Sequence, residues 1–195
     1  MDPSPLSRHQ RHRQRTRQQL QTALLALILE KGFDSVSIQE ITDRADLARA
    51  TFYLHARDKD ELLWSVIEDL IHATEQEVLL SYSGEMPAQA EYYGYRNIFE
   101  HIERNQDVYR VILGGKGSAE MTERVRQYMV GETLLDIERY HLYADLGQPP
   151  EITARIVVGA ILSLATLWLD AQNKYSATQI AGMLYEALHH KKPPT

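Results

Sequence analysis

The sequence predicts an all-α protein of about nine helices, with a small three-helix unit followed by a larger helical domain. Three observations support this fold class. Apolar residues recur at helical spacing through most of the chain, cap-forming residues or Gly and Pro separate the periodic segments, and an alternating strand pattern is not found in any segment.

The composition is that of a soluble globular protein, with 44% hydrophobic and 25% charged residues and a net charge of -6. Cysteine is absent, which excludes a disulfide framework and thiolate chemistry. The sequence has no continuous apolar stretch long enough for a membrane span and no apolar N-terminal signal segment, so we expect a cytoplasmic protein without a membrane partner.

Charge is distributed unevenly along the chain. Residues 1–60 carry 10 Lys and Arg against 8 Asp and Glu, a net of +2, whereas residues 61–195 carry 11 against 19, a net of -8. The first seventeen residues contain one acid, Asp2, and the arginines Arg8, Arg11, Arg13, Arg15 and Arg17. Two prolines and the lack of apolar periodicity predict that residues 1–14 form a disordered basic arm.

Residues 15–60 are predicted to form the three-helix unit. The first helix has an apolar face from Leu20 to Ile28 and ends at Gly32. Ser37 and Glu40 form a capping-box pattern that opens a second helix, over residues 38–45, and a third helix follows over residues 49–56. Two short helices joined by a tight turn are typical of a helix-turn-helix, whose second helix enters the DNA major groove.

Residues 61–195 are predicted to form the larger domain. Asp58 begins a long helix that extends to about residue 82, residues 83–87 form a loop, and further helices lie between breaks near residues 105, 114–118 and 147–150. The glycine-rich residues 114–118 are predicted to connect two helices, because they lack the spacing of a phosphate-binding loop and no strand precedes them.

The segment SIQEITDRADLARATFYLHARDKDELL, residues 37–63, resembles the TetR family of transcriptional regulators. The matching positions are Thr51, Phe52, Tyr53, His55, Asp58, Lys59, Glu61, Leu62 and Leu63. Two positions differ from the family pattern: Asp46 stands in the turn where glycine is usual, and Ala56 stands where phenylalanine is usual. Asp tolerates left-handed backbone geometry better than most residues, so the turn is expected to form.

The resemblance implies a DNA-binding surface. Arg49 is expected to reach a base edge or a phosphate, Lys59 to pair with a phosphate, and Ser37 to place a phosphate at a helix N-terminus. The DNA-binding residues predicted in this way are Ser37, Gln39, Ala48, Arg49, Ala50, Thr51, Tyr53, His55 and Lys59. Alternatives remain for two of them, since Tyr53 is also suited to a core and His55 to a helix end. The basic arm either reaches the minor groove or stays a mobile tail.

The resemblance also implies a small-molecule pocket in the larger domain, and residues 109–121 look like part of one C-terminal type of the family. Ten of the eleven tyrosines lie beyond residue 60, which favours an aromatic, largely apolar pocket. The candidate lining residues are Trp64, Tyr92, Tyr93, Tyr95, Phe99, Tyr109, Leu113, Met121, Tyr128 and Met129. The alternative for each is ordinary core packing.

Residues 152–171 are apolar nearly all round, which predicts burial on more than one side. One stripe contains Ile156, Ala160, Ser163 and Leu167, and the other contains Val157, Ile161, Leu164 and Trp168. A second apolar stripe on a single helix indicates a homodimer interface, and which stripe faces the partner is left open. The predicted interface residues are Val157, Ile161, Leu164, Trp168, Ile180, Leu184 and Leu188.

These features predict a homodimeric, DNA-binding regulator, most commonly a repressor in this family, that is released from a palindromic operator by a small molecule. Metal and cofactor sites are not predicted, because the histidine and glutamate pairs lack a third ligand. Two alternatives are a helical enzyme that uses the tyrosines and His101, and an interaction module that keeps the fold without binding DNA. DNA binding that weakens steeply with salt would distinguish the regulator from the enzyme, and binding to the DNA upstream of the coding region would distinguish it from the interaction module.

Overall fold

A computed structural model describes residues 7–81, 89–115, 117–170 and 174–194, with the side chains of residues 72–81 left aside. In these ranges the chain forms nine α-helices and two short 3-10 helices and contains no strand, which confirms the all-α prediction. The contacts divide the chain into two compact units, residues 1–73 and 74–195. The division falls inside the long fourth helix rather than at its start, where the sequence analysis placed it.

The helix bounds follow the predicted breaks closely. The two 3-10 helices are Phe33–Ser35 and Ala144–Leu146. The α-helices are α1 Arg8–Lys31, α2 Ile38–Arg44, α3 Arg49–Tyr53, α4 Lys59–Ser81, α5 Ala90–Arg104, α6 Gln106–Leu113, α7 Ala119–Tyr140, α8 Pro150–Asp170 and α9 Ala177–His189. The predicted loop over residues 83–87 lies outside the described residues.

The N-terminal unit has a core formed by one face of each of its helices. Leu20, Leu24 and Ile28 of α1 are fully buried, together with Ile41 of α2 and Phe52 of α3. Leu62 and Leu63 of α4 complete this set of fully buried side chains. Ala56, which stands where the family pattern has phenylalanine, is itself buried, so the smaller side chain lies inside the fold.

The disordered arm predicted for residues 1–14 is wrong for its second half, because α1 begins at Arg8. Ser7 caps this helix, and the side chain of Gln10 returns a hydrogen bond to the Ser7 backbone. Arginine and glutamine are good helix formers, and the amphipathic turns that follow supply a nucleus onto which polar turns can add. Residues 1–6 lie outside the described residues.

The turn between α2 and α3 forms at Asp46, as expected, with a positive φ of 54°. The backbone N–H of Leu47 then donates to the Thr42 carbonyl oxygen at 3.0 Å, which closes the turn. Both helices are shorter than predicted: α2 ends at Arg44 and α3 at Tyr53. The three residues after α3 remain in helical-type hydrogen bonds, with Ala56 N–H bonded to the Phe52 carbonyl at 3.0 Å.

The C-terminal unit is built on two helix pairs, α5 with α9 and α7 with α8. Phe99 of α5 meets Trp168 of α8 edge to face, with ring centroids 5.8 Å apart. The Trp168 indole N–H donates to the carbonyl oxygen of Tyr175 at 2.7 Å, so its polar atom is satisfied although the ring is buried. This core fixes α8 and α9 against α5.

The glycine-rich connection between α6 and α7 is confirmed for the residues that the structure describes. Gly117 passes so close to α6 that an added Cβ would lie 2.2 Å from the Val111 carbonyl oxygen, which requires glycine at this position. Ser118 then caps α7 by accepting a hydrogen bond from Met121 N–H. Lys116 lies outside the described residues.

Helix α8 is long and apolar enough to cross a membrane by length and composition. Half of the most apolar 18-residue stretch of this helix is buried inside the chain, however, and the helix packs against α7. A core helix of a globular domain satisfies the same criteria, and the packing of α8 agrees with that role.

Candidate functional site

The exposed start of α3 consists of small residues and one long cationic side chain. Ala48, Arg49 and Ala50 are exposed, Thr51 is half-buried and Phe52 points into the core. Tyr53 is 50% exposed, which contradicts the alternative that placed it in the core. Arg49 and Tyr53 lie one helical turn apart, and the Arg49 Nη2 donates to the Tyr53 hydroxyl at 3.4 Å.

The start of α2 carries a carboxylate where the resemblance implied a phosphate. The Ser37 hydroxyl donates to Glu40 Oε2 at 2.7 Å, and Ser37 N–H donates to the same oxygen at 2.9 Å. The hydrogen bond from Lys31 is the largest effect that lowers the pKa of Glu40, to about 2, followed by those from Ser37. Nearby, the Gln39 amide donates to Asp43 at 2.6 Å. A phosphate at this end would have to displace or move past Glu40.

The Lys59 ammonium, which the resemblance assigns to a phosphate, is bonded within the N-terminal unit. Its Nζ donates to the carbonyl oxygens of Phe33 at 2.7 Å, Val36 at 3.2 Å and Asp34 at 3.4 Å. The ammonium also lies 4.3 Å from the centre of the Phe33 ring. Three acceptors match the three protons of an ammonium group, so Lys59 holds the connection between α1 and α2 in place.

His55 lies just after α3, beside the beginning of α1. Burial is the largest effect that lowers its pKa, and the positive charges of Arg13 and Arg17 and the nearby His12 lower it further. Arg17 is anchored, since its Nη2 donates to the Ser65 carbonyl at 3.1 Å and to Asp69 at 2.8 Å. The first turns of α1 therefore bring positive charge next to the C-terminal end of α3.

The basic first turns of α1 are also part of the candidate surface. The sequence predicted these residues to be a disordered arm, but they form a helix. Arg8, Arg11, Arg13 and Arg15 are all exposed on this helix. The Ser7–Gln10 capping pattern, followed by helix-forming Arg and Gln residues, was the feature of the sequence that could have revealed it. Together with α3, this helix gives the N-terminal unit an exposed basic surface suited to a phosphate backbone.

The predicted pocket residues of the C-terminal unit pack mainly on one another. Tyr92, Tyr95 and Phe99 are buried in the main core, and Tyr93, Tyr109, Leu113 and Met129 pack against it. Burial raises the pKa of Tyr109 to about 12. Met121 is buried and Tyr128 half-buried, while Trp64 belongs to the N-terminal unit. A cleft of about 380 Å³ in the C-terminal unit is lined by other residues.

The predicted dimer interface is wrong for most of its residues. Val157, with 1% of its surface exposed, belongs to the chain's own core, as do Ile161, Trp168, Ile180 and Leu184. Leu164 and Leu188 pack against the same core and are half-buried. Both stripes of α8 were apolar, and periodicity alone could not show which of them α5 and α9 would cover.

The stripe of α8 that contains Ile156 and Leu167 is the one that faces outward. Ile152, Ile156 and Leu167 are exposed, as is Met183 of α9, and Leu167 has 65% of its surface exposed. Ser163 is exposed and Ala160 half-buried on the same side of α8. We refer to Ile152, Ile156, Ala160, Ser163, Leu167 and Met183 as the outer stripe.

Two family models match the chain. Residues 21–66 match the bacterial regulatory proteins of the tetR family, and residues 91–190 match a transcriptional regulator C-terminal region of that family. Among curated proteins of Bacillus subtilis (strain 168), the uncharacterized HTH-type transcriptional regulator YxbF is 42% identical over 55 residues, 28% of this chain and 14% of YxbF. Another, YuxN, is 29% identical over 109 residues, 55% of this chain and 37% of YuxN. The matches thus span well under half the length of these curated relatives.

Solved structures share the fold over most of both chains. A TetR-family regulator of Syntrophomonas wolfei has a TM-score of 0.78 at 18% identity, covering 91% of this chain and 94% of its own. NalD of Pseudomonas aeruginosa, the secondary repressor of the MexAB-OprM efflux pump, has a TM-score of 0.73 at 21% identity, covering 92% and 96%. FadR of Bacillus subtilis, solved with stearoyl-CoA, has a TM-score of 0.66 at 18% identity, covering 88% and 96%.

Proposed function

Because the chain belongs to the TetR family of bacterial transcriptional regulators, we propose that it is a cytoplasmic repressor. It binds a palindromic operator as a homodimer and is released from the operator by a small molecule. The single observation that carries the DNA-binding part is the exposed face of α3, in which Arg49 projects between the small residues Ala48 and Ala50, with Tyr53 exposed one turn further on.

The geometry of α3 fits insertion into a DNA groove. Ala48 and Ala50 keep the backbone free to approach the bases, and Arg49 supplies the side chain that most often recognises guanine in the major groove. Tyr53 and Thr51 flank it at positions suited to the phosphate backbone. The basic first turns of α1 add a second region of contact with phosphates, and we include these turns in the proposed interface.

The outer stripe supports the homodimer. Three large apolar side chains are exposed along one face of α8, Met183 of α9 is exposed as well, and a row of exposed apolar residues such as that on α8 usually marks an interface. Two helices from each of two chains can form a four-helix bundle around a twofold axis. A twofold dimer places its two copies of α3 about 34–36 Å apart, or a multiple of it, and therefore requires an inverted repeat in the operator.

The proposal of repression and of release by a small molecule rests on the family and on two structural neighbours. NalD is described as a repressor, and FadR was solved with an acyl-CoA. The largely apolar effector predicted from the sequence remains part of the proposal, with the half-buried residues Tyr93, Tyr109, Leu113 and Met129 at the edge of the core as its candidate contacts.

The experiment is footprinting of the purified chain on the DNA upstream of its own coding region. The proposal predicts protection of an inverted repeat with half-sites one helical turn or a multiple apart. An Arg49→Ala protein at the same concentration serves as the matched comparison and should protect the repeat poorly. A folded chain that protects nothing upstream and does not bind duplex DNA at low salt would instead be an interaction module with this fold.

A further inference from the structure

The cleft of about 380 Å³ in the C-terminal unit lies between the start of α5, the 3-10 helix Ala144–Leu146 and the end of α9. It is separate from the aromatic residues considered above as pocket candidates. Two carboxylates, Glu91 and Asp145, an aromatic ring, Tyr185, and one ammonium group, Lys191, are among its lining residues. Gln89, His141 and Ala144 complete the lining. Two carboxylates against one ammonium group, beside an aromatic ring, suit a positively charged ligand.

Part of the cleft wall is held rigidly by a buried histidine. His189, whose side chain is 1% exposed, has its Nδ1 3.0 Å from both carboxylate oxygens of Asp145. Its Nε2 lies 3.1 Å from the Tyr95 hydroxyl, and its ring stacks on Tyr185 with centroids 4.6 Å apart. Asp145 and Tyr185 are therefore fixed by the same imidazole, and a ligand would meet them in a preorganised arrangement.

Glu91 completes the acidic part of the cleft from the first turn of α5. One of its carboxylate oxygens accepts the backbone N–H of Tyr143 at 3.1 Å. Because Tyr143 is two residues from Asp145 in the chain, this bond ties the segment that carries Asp145 to α5. The two carboxylates consequently line one cleft although they are more than fifty residues apart in sequence.

The chain places one of its own cations in this cleft. Lys191 Nζ donates to Asp145 Oδ2 at 2.8 Å. The hydrogen bond and charge of Asp145 are the largest effects that raise the pKa of Lys191, and Tyr185 and Glu91 raise it further. The same ammonium is thus stabilised by both acids and by the tyrosine.

The segment that carries Lys191 turns back after α9. His190 has a positive φ of 53°, which ends the helix in the left-handed conformation. Further along, the Pro193 ring lies over Gly182, where an added Cβ would be 3.5 Å from the proline Cγ. Lys191 therefore reaches the cleft from a short C-terminal segment that packs along α9.

We propose that this cleft is a binding site for a small organic ammonium ion, and that Lys191 occupies the site in the unliganded chain as an internal competitor. The ligand's ammonium group would take the place of the Lys191 Nζ, donating to Asp145 and Glu91 while its alkyl part lies against Tyr185. The exposed ion pair of Lys191 with Asp145 is weak enough to be exchanged. With Lys191 displaced, the two carboxylates carry a net charge of about -2.

Other ligand classes fit the lining less well. A metal ion would require more ligands than the two carboxylates, and the described part of the chain has no group of three His, Cys, Asp or Glu side chains close enough to hold one. An anion would have to compete with Asp145 for Lys191 and would lie near Glu91. If the proposed repressor function holds, the ammonium ion becomes a second effector, at a site separate from that of the largely apolar one, and it releases the C-terminal segment from the 3-10 helix.

The test is isothermal titration calorimetry of the full chain, without DNA, with putrescine as the probe. Tetramethylammonium tests the need for N–H donors, and succinate, a dianion of similar length, is the matched charge control. We expect putrescine to bind at one site, tetramethylammonium more weakly and succinate not at all. Removing the competitor in Lys191→Met should tighten putrescine binding about two- to fivefold, the range of an exposed ion pair.

Two further variants locate the site. Glu91→Gln should weaken putrescine binding about two- to fivefold, because it removes one of the two charges that the ligand would meet. Lys192→Met, a change of the same type at the next residue, which does not line the cleft, should bind like the unmodified chain. Circular dichroism of each variant establishes that the helices are intact.

Three results would overturn the proposal. The first is a folded Lys191→Met variant that does not bind putrescine at millimolar concentration. The second is equal putrescine affinity in Lys191→Met, Lys192→Met and the unmodified chain. The third is a preference for succinate over putrescine. Since none of these measurements includes DNA, any of them would leave the proposed operator binding to be judged by its own test.

Discussion

Two cations of the N-terminal unit, Arg49 and Lys59, have different surroundings. We therefore expect Arg49 to contact DNA and Lys59 to stabilise the fold. The Arg49 side chain projects from an exposed face and makes one long hydrogen bond, to Tyr53. The Lys59 ammonium is held by backbone carbonyl oxygens and an aromatic ring. Arg49 is therefore available to a DNA base, whereas Lys59 stabilises the unit that presents α3.

Replacing Arg49 with alanine should weaken operator binding by about 1–3 kcal/mol and relax the preference for one base in each half-site. The physical reason is the loss of a bidentate contact with a base edge. The measurement is fluorescence anisotropy with the operator and with duplexes altered at single positions. Arg139→Ala, which removes an exposed arginine of α7, is the control and should bind like the unmodified chain. An Arg49→Ala protein with unchanged preferences would remove Arg49 from the interface.

Replacing Lys59 with methionine should lower the free energy of unfolding by about 1–3 kcal/mol, because carbonyl oxygens in a half-buried region lose a charged donor. Urea unfolding followed by circular dichroism measures the change, and Lys192→Met serves as the exposed control. The salt dependence of DNA binding should stay the same. Unchanged stability together with a salt slope lower by about one would show instead that Lys59 contacts a phosphate, as the resemblance implied.

The start of α3 and its exposed side could be predicted from the sequence, but the intramolecular contacts of Lys59 could not. The matched pattern from Thr51 to Leu63 is local, so it fixes the helices and the side of α3 that faces outward. The acceptors of Lys59 lie 23 to 26 residues earlier in the chain. Which carbonyl oxygens end up beside an ammonium group depends on how α1, α2 and α4 pack, and this information is not contained in a local pattern.

At the scale of single elements, the start of α2 should be sensitive to acid. The pKa of Glu40 falls from 4.5 to about 2 in the folded chain, first through the hydrogen bond from Lys31 and then through Ser37. A carboxyl group with a lowered folded pKa stabilises the fold above its unfolded pKa, and this contribution is lost as the pH falls from about 4.5 towards 2.

The pH dependence of unfolding tests this element. The free energy of unfolding of the unmodified chain should fall more steeply below pH 4.5 than that of Glu40→Gln, which has no carboxyl group to protonate at this position. Glu103→Gln, at an exposed glutamate of α5, is the matched control and should follow the unmodified chain. Parallel curves for Glu40→Gln and the unmodified chain would contradict the capping role of Glu40.

Helix α1 shows what apolar periodicity misses. The helix was predicted within residues 15–60, on the apolar face from Leu20 to Ile28, but it begins at Arg8. Its first turns are exposed on all sides, so they contain no apolar stripe to detect. The cap at Ser7 and the intrinsic helix propensity of Arg and Gln were the features that could have placed the start correctly.

For the molecule as a whole, the sequence predicted two apolar stripes on α8 and left the assignment of each stripe open. Ile161 and Trp168 face α5 and α9, and Leu167 faces outward. A helix that is apolar on two sides gives the same periodicity for a core contact and for an interface with another chain. The packing of α5, α6, α7 and α9 against α8 is what separates the two.

The outer stripe should therefore hold the proposed dimer together. Leu167→Glu is expected to give a folded monomer, because it places a charge on an exposed apolar surface without entering the core. Sedimentation at micromolar concentration measures the oligomeric state, and circular dichroism measures the helix content. Leu135→Glu, at a leucine of α7 that is 55% exposed, is the control and should leave the dimer intact. A Leu167→Glu protein that remains dimeric would contradict this interface.

Specific operator binding can be measured by comparing two affinities of the unmodified chain. One is for the inverted repeat found by footprinting, and the other is for a scrambled duplex of the same length, each measured between about 50 and 200 mM salt. The account predicts that the repeat is bound at least about 10³-fold more tightly and that both affinities fall steeply as salt rises. Equal affinities for the two duplexes, or affinities that do not change with salt, would contradict it.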